Sequence, residues 1–241
     1  MPIHHTNLKK RFEEIFQERL EAKKLLSDLE NNGELLLFGG CIRDYLDHEF
    51  EQIPRDFDIV LNDMFIDIDT ILQMNKFSYR RNKFSGYKVF VDDIVFDIWD
   101  IRNTWAFKED KLSYTEVSDL NKTVFLNIDS IFYNLNDCQL YDNGFKDALS
   151  NQELDIVLAD NPFPELNLVR AFRYSEKYKL KFSTKLELFI KKLISSQYDS
   201  KSNASRTLMD IENKRYGTVQ IDWDKELSRY INKAEGQFVF A

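Results

Sequence analysis

Residues Leu35–Leu61 read LLLFGGCIRDYLDHEFEQIPRDFDIVL. An apolar run, Leu35–Phe38, ends in Gly39-Gly40, and a short amphipathic piece, Ile42–Leu46, follows. After a polar loop, Asp56-Phe57-Asp58 opens a second apolar run, Ile59–Leu61. The order is strand, glycine turn, helix, loop, strand, with two carboxylates at the mouth of the second strand. The first run is apolar throughout, as expected of a buried strand rather than an edge.

Glycine lets the backbone turn sharply and lets a ligand approach where a Cβ would stand. The peptide N–H groups at Gly39-Gly40 and at the start of the following helix are expected to point outward, a natural seat for a phosphate oxygen. Arg43 sits one turn into that helix, where its fork can reach a phosphate. Asp56 and Asp58 are two residues apart on a strand and so share a face, while Phe57, Ile59 and Leu61 face the other way. Two carboxylates side by side repel one another unless a cation joins them, and Mg2+ is the usual ion where carboxylates share it with substrate phosphates.

Further on, Tyr87–Val91 and Ile94–Trp99 alternate as the arms of a hairpin with Asp92-Asp93 as its turn. Asp97 is then an acidic residue inside a hydrophobic strand, where solvation is a poor explanation. If this strand lies beside 57–61 with matching faces, Asp97 joins Asp56 and Asp58. Three carboxylates on one face can hold two metal ions, which activate an attacking hydroxyl and stabilise a leaving pyrophosphate. Asp100 is the rival third carboxylate, but parity puts it on the opposite face. Arg80, Arg81, Lys83 and Lys88 form a basic cluster around the hairpin, read first as solvated and second as an RNA or phosphate contact.

The remaining elements are less telling. Residues 8–29 show helical spacing, stopped by Asn31-Asn32-Gly33. A helix over 63–75 would carry Phe65, Ile68, Ile71 and Leu72. Residues 145–195 read as mainly helical, Ser195–Ser205 as a loop, and Ala204–Tyr216 as a helix. Val219, Ile221 and Trp223 alternate as a short strand before a last helix, Lys225–Lys233. The apolar tail Phe238–Phe240 is expected to dock on the body or on a partner. Trp105, Tyr133 and Tyr174 are positioned either to stack a base or to fill the core, and His4 and His5 are read as solvated.

Composition narrows the class. The chain has 241 residues, 43% of them hydrophobic, with 20 Phe and 11 Tyr. That supports one large domain or two small ones with a real core. The net charge of −8 argues against a chain that merely coats nucleic acid, so any such contact must be a local patch. Cys41 and Cys138 form neither a disulfide framework nor a zinc pattern, and a reducing, cytoplasmic setting fits. No run approaches the roughly 20 apolar residues needed to span a bilayer, and no membrane association is expected.

Gly-Gly-x-x-Arg-Asp, a loop and Asp-x-Asp-Ile resemble the head domain of class II poly(A) polymerases and CCA-adding tRNA nucleotidyltransferases, in the DNA polymerase beta nucleotidyltransferase superfamily. Gly39, Gly40, Arg43, Asp44, Asp56, Asp58 and Ile59 match in order and approximate spacing. Asp97 with Arg102 is similar to the family's third acidic residue and its trailing arginine. Ile128–Asn134, IDSIFYN, resembles the family's INALAYN stretch, and LVRAFRYSEKYKL, from Leu168, resembles the neck helix. The likeness covers roughly residues 10–195. It implies an α+β polymerase-beta-like fold, a five-stranded mixed sheet with flanking helices, over 1–145, then a mostly helical neck-like region over 146–241. It also implies transfer of a nucleoside monophosphate from an NTP to a hydroxyl, with Mg2+ or Mn2+. Gly39, Gly40, Arg43 and Arg102 would contact the nucleotide, and Asp56, Asp58 and Asp97 would hold metal and carry the catalysis.

Two family signatures are rewritten. The pair of arginines and the asparagine that contact the nucleotide fall on Thr123, Val124 and Asp129. The base-reading Glu-Asp-x-x-Arg template falls on Phe163, Pro164 and Asn167, leaving only Arg170 and Arg173 beyond it. Nucleotide selection is therefore expected to differ from that of CCA-adding enzymes. The acceptor is an RNA or tRNA 3′ end, a protein hydroxyl or a small molecule, and the oligomeric state is not readable. The alternative is a nucleotide-binding or regulatory module that has lost catalysis.

Overall fold

The computed structural model describes residues 7–63, 67–230, 232–234 and 237–239. His4, His5, Phe65 and Phe240 lie outside the described residues. The chain divides into two compact units, Met1–Thr123 with Asp129–Asn143, and Val124–Ile128 with Gly144–Ala241.

The first unit is built on a seven-stranded sheet of β1 (Glu34–Phe38), β2 (Phe57–Asn62), β3 (Ser78–Arg81), β4 (Tyr87–Val91), β5 (Ile94–Asp100), β6 (Ile131–Asn134) and β7 (Gln139–Asp142). Their order is β3-β4-β5-β2-β1-β6-β7. The β2–β5 pair is parallel and the other neighbours are antiparallel, so the sheet is mixed. It has two strands more than the resemblance implies. The sequence reading assigned no strand to 78–81 or 139–142, and these form the two edges.

Alternation sorts the side chains. Leu35, Leu37, Phe57, Ile59, Leu61, Phe96 and Ile98 share one face and are buried. Helices α1 (Leu8–Ile15) and α2 (Leu20–Glu30) belong to the same unit. Phe12 and Phe16 meet Phe57 at 5.6 Å between ring centroids, and Phe16 and Phe57 each lie 5.8 Å from Phe96. Such tilted and edge contacts add about 1 kcal/mol per pair beyond area burial. The single helix expected over 8–29 is broken here. Phe16 leaves α1 to enter this cluster, Arg19 Nη1 donates to the Ile15 carbonyl at 2.6 Å, and α2 starts afresh. The carboxylate of Asp92 accepts from the N–H groups of Glu21 and Ala22 at 2.8 and 3.0 Å, so the hairpin turn caps α2.

The other face carries Leu36, Val60 and Phe132. They form a buried cluster with Ile101, Phe107 and Leu120, against which Phe38, Trp99 and Tyr141 pack partly buried. Helix α3 (Gly40–His48) follows β1, and α4 (Ile68–Met74) takes Asp67 as its N-cap, later than the expected start at 63. Helix α5 (Trp105–Lys108) follows β5 through a short 3-10 turn, Ile101–Asn103. Tyr133 is fully buried and belongs to the core.

The second unit contains α6 (Phe145–Ser150), α7 (Pro164–Tyr178), α8 (Thr184–Gln197), α9 (Lys201–Tyr216) and α10 (Trp223–Leu227), with the short parallel pair β8 (Glu153–Leu154) and β9 (Lys181–Phe182). Residues 155–158 are not helical because their N–H groups bond to the 124–127 segment, Val157 to Phe125 at 2.9 Å and Leu158 to Val124 at 3.0 Å. The expected loop 195–205 shrinks to three residues between α8 and α9. Ser195 and Ser196 donate to carbonyls three residues back, and Ser200 caps α9, so the serines serve the helices that they were read as separating. No strand forms over 219–223. Trp223 instead opens α10, donating its indole N–H to Glu212 at 2.9 Å. Glu212 is fully buried and also accepts from Arg173 at 2.8 Å and from the Gln220 N–H at 3.0 Å. On its own helix, the Arg170 guanidinium lies 3.4 Å from the Tyr174 hydroxyl. The expected last helix is replaced by α10 and by a pair of strands, β10 (Asn232–Ala234) with β11 (Gln237–Val239). Among the described residues, no helix is long and apolar enough to cross a membrane.

Candidate active site

The turn after β1 rests on Gly39, whose φ of +62° and ψ of −109° favour a residue without Cβ. Its own N–H is not an outward donor as expected from sequence. It bonds to the Ile131 carbonyl at 3.1 Å, tying the turn to β6. The donors of this corner are the N–H groups opening α3, those of Gly40, Cys41 and Ile42, which have no preceding helical turn to accept them. No side chain caps this end of α3. A Cβ on Gly40 would meet Arg43 Nη2 at 3.7 Å, so the guanidinium lies next to the turn.

Arg43 is 7% exposed, and its Nη1 donates to Asp129, itself 5% exposed. The arginine expected to reach out to phosphate is thus held in a buried ion pair beneath the turn. The carboxylate of Asp129 gives the guanidinium its buried counter-ion. Cys41 donates its thiol to the Phe38 carbonyl, and burial first, then the charges of Asp58 and Asp44, push its pKa far up. It is a neutral core thiol and no nucleophile.

The parallel pairing of β2 with β5 sets Asp58 directly opposite Asp97. Directly opposed residues project to the same face, so the matching of faces expected from alternation is realised. Asp56 lies just before β2, and its carboxylate turns to Arg55, accepting from Nη2 at 2.7 Å and Nε at 3.2 Å. Asp97 accepts from Lys88 Nζ at 2.7 Å, and Lys88 is its antiparallel partner on β4. Arg80 on β3 pairs in turn with Lys88. Arg80, Lys88, Asp97 and Asp58 therefore form one cross-strand row over four strands. Lys88 was read as part of a solvated cluster. Its link to Asp97 follows from strand register, and the residue count back across the 92–93 turn was the signal that pointed to it.

Asp100 faces away from this row. It caps the 3-10 turn, accepting from the Arg102 N–H at 2.8 Å, and holds the Arg102 guanidinium at 2.9 and 2.5 Å. Arg102, expected as a phosphate contact, points its fork into Asp100, and this partner raises its pKa. Beside the carboxylates, Phe38 and Trp99 meet edge to face at 6.3 Å, and the Trp99 indole donates to Thr104 Oγ1 at 3.0 Å. Among the described residues, no three His, Cys, Asp or Glu side chains stand close enough together to share a metal ion. In residue type and strand placement, Asp58 and Asp97 suit a divalent cation that takes its other ligands from substrate phosphates and water.

No family model matches this chain, and no curated protein matches it in sequence. Its fold is that of solved tRNA nucleotidyltransferases. A CCA-adding enzyme in an apo form superposes with a TM-score of 0.60 at 16% identity, covering 90% of this chain and 53% of that one. A tRNA nucleotidyltransferase complexed with a primer tRNA and an incoming ATP analog gives 0.57 at 13% identity, covering 82% and 57%. A Thermotoga maritima CCA-adding enzyme complexed with tRNA gives 0.56 at 16% identity, covering 83% and 47%. The chain spans about half the length of these proteins.

Proposed function

We propose that this chain is a metal-dependent nucleotidyltransferase that moves a nucleoside monophosphate from an NTP to a hydroxyl, with nucleotide selection unlike that of CCA-adding enzymes. The observation that carries the reading is the facing of Asp58 and Asp97 on the parallel strands β2 and β5, in the same unit as the Gly39 turn. The likeness to enzymes solved with CTP, ATP and tRNA supports the choice of substrate.

In this reading the N–H groups opening α3 bind the triphosphate, and Gly39 and Gly40 let it approach. Arg43, whose Nη2 lies next to the turn, would pair with the triphosphate in competition with Asp129. Asp58 and Asp97, with Asp56 turning to them from Arg55, would hold Mg2+ or Mn2+, which would supply charge neutralisation at phosphoryl oxygens and favour ionisation of an attacking hydroxyl. Asp97 also accepts the acceptor's proton. Arg102 reaches a phosphate by exchanging Asp100, a swap that its exposed position makes easy. The acceptor is an RNA or tRNA 3′ end, a protein hydroxyl or a small molecule.

Incubation with each labelled NTP, Mg2+ or Mn2+ and total cellular RNA tests this, comparing the natural chain with Asp56→Ala/Asp58→Ala. Label in RNA or protein that is lost in the double variant is the expected result. Equal labelling by both would remove these carboxylates from the chemistry. The sequestration of Arg43 by Asp129 favours the second reading, a nucleotide-binding module without transfer. Saturable NTP binding with no label moved to any acceptor would decide for it.

A further inference from the structure

Parity divides the basic cluster on β3 and β4. Tyr79 and Arg81 pair with Val89 and Tyr87, whose partners on β5 are Phe96 and Ile98, so all four take the face of Phe57. There the Tyr79 hydroxyl donates to Asp69 on α4 at 2.9 Å, and the Arg81 guanidinium lies 5.6 Å from the Tyr87 ring centre. Arg80, Lys88 and Phe90 take the opposite face, that of Asp58 and Asp97. Arg80 is exposed, Phe90 is 41% exposed, and the Arg80 guanidinium lies 5.8 Å from the Phe90 ring centre. This half of the carboxylate face is open to solvent, whereas Leu36, Val60 and Phe132 on the other half are buried with Ile101, Phe107 and Leu120.

Resting on the function proposed above, we infer that the β3–β4 half of this face holds the acceptor, an unstructured single-stranded nucleic acid whose 3′ hydroxyl reaches Asp97. A ring with a guanidinium beside it is what such a strand needs, since any base can stack on the ring and the backbone phosphate pairs with the cation. Arg80 stands two strands from Asp97, about 10 Å, the length of about three nucleotides of a stacked strand. Phe90 is opposite Val95, two residues before Asp97, so it lies about 7 Å along the sheet from the carboxylate. Both are thus within reach of the last few nucleotides of a strand ending at Asp97. The net charge of −8 excludes a general coat of nucleic acid, and a local patch beside the carboxylates is compatible with it. A protein acceptor would meet the same charge, but an acidic peptide has no base to lay on Phe90.

Anisotropy of a 5′-labelled oligouridylate of about 12 nucleotides, titrated with the full chain over a range of salt and without NTP, reads the surface. Phe90→Ala is expected to weaken binding about 10-fold, and Phe90→Tyr, which keeps a ring, to restore it. Arg80→Gln is expected to lower the slope of log affinity against log salt by about 0.7. Arg81→Gln removes the same charge from the other face and is expected to leave affinity and slope unchanged. Polyglutamate is expected not to displace the oligonucleotide. No binding by the natural chain, equal effects of Arg80→Gln and Arg81→Gln, an unaffected Phe90→Ala, or displacement by polyglutamate would each overturn the inference. Labelled NTP added to the same mixture with cell extract separates the surface from the reaction. Label on the oligonucleotide 3′ end, reduced in Phe90→Ala, is the expected result. Label on protein or small molecules alone would overturn the acceptor and leave nucleotidyl transfer standing. Label on nothing would remove the transfer reaction and the role of acceptor with it, while the binding pattern, which needs no NTP, still decides the nucleic-acid surface.

Discussion

Asp58 and Asp97 stand opposite one another on parallel neighbouring strands, two carboxylates on one sheet face with Lys88 bonded to the second. Fold stability gains little from setting like charges side by side. Asp58→Asn and Asp97→Asn should therefore separate stability from chemistry. Each is expected to reduce label transfer at least ~100-fold, with a thermal midpoint within about 3 °C of the natural chain. Loss of transfer accompanied by a drop of 10 °C or more would mean that these carboxylates hold the fold.

The buried pair Arg43–Asp129 should behave in the opposite way. Removing one partner leaves a charge buried without its counter-ion, at a cost of about 3–5 kcal/mol. Asp129→Ala is therefore expected to unfold at markedly lower urea concentration. Arg43→Met combined with Asp129→Leu, which removes both charges and keeps the volume, should recover most of the loss. A double variant no more stable than Asp129→Ala alone would show that the cost lies in packing.

Asp119 supplies a pH dependence in the same unit. Its carboxylate is buried and accepts from Lys122 Nζ at 2.7 Å, from Thr115 Oγ1 at 2.7 Å, and from the N–H groups of Thr115 and Glu116 at 2.9 and 3.1 Å. Lys122 first, then Thr115, hold its pKa well below the usual carboxylate range, against the opposing effect of burial. A pKa lowered by folding stabilises the native state above the unfolded value, about 3.9, and that stability is lost as pH falls towards the folded value. Asp119→Asn should cost about 2 kcal/mol at pH 7. The gap to the natural chain should shrink by about 1 kcal/mol between pH 5 and pH 3. Urea unfolding at these three pH values reads it, and a gap that does not change with pH would exclude the carboxylate as its cause.

Much of this site follows from local pattern. The β4–β5 hairpin falls where the alternation placed it, and Asp92 and Asp93 adopt the positive φ values of +47° and +60° that a tight two-residue turn requires. The side-by-side placement of Asp58 and Asp97 followed from parity once the strands were taken as neighbours. Partners brought by tertiary register were not legible. Asp129 on Arg43 and Asp92 at the start of α2 are 86 and 70–71 residues from the groups they serve. Edge strand β3 escaped notice because Ser-Tyr-Arg-Arg has no buried face to produce alternation. In the second unit, 155–158 pairs with 124–127, a non-local bond that no helical period can report.

The two glycines of the turn are not equivalent, and the difference isolates the phosphate seat. Gly39 has a φ of +62°, and a Cβ there would meet nothing within 4 Å. Gly39→Ala is therefore expected to lose about 1–3 kcal/mol through backbone strain alone. Gly40 opens α3 without a positive φ, and an added Cβ would make only ordinary contact with Arg43 Nη2 at 3.7 Å. Gly40→Ala should fold within about 1 kcal/mol of the natural chain, since alanine is the better helix former. Its Cβ would stand beside the N–H groups that open α3, where a triphosphate must approach closely. Gly40→Ala is thus expected to keep its urea midpoint and lose at least ~10-fold in NTP affinity, read by fluorescence anisotropy of a labelled nucleotide. Unchanged affinity in this stable variant would move the triphosphate away from the start of α3.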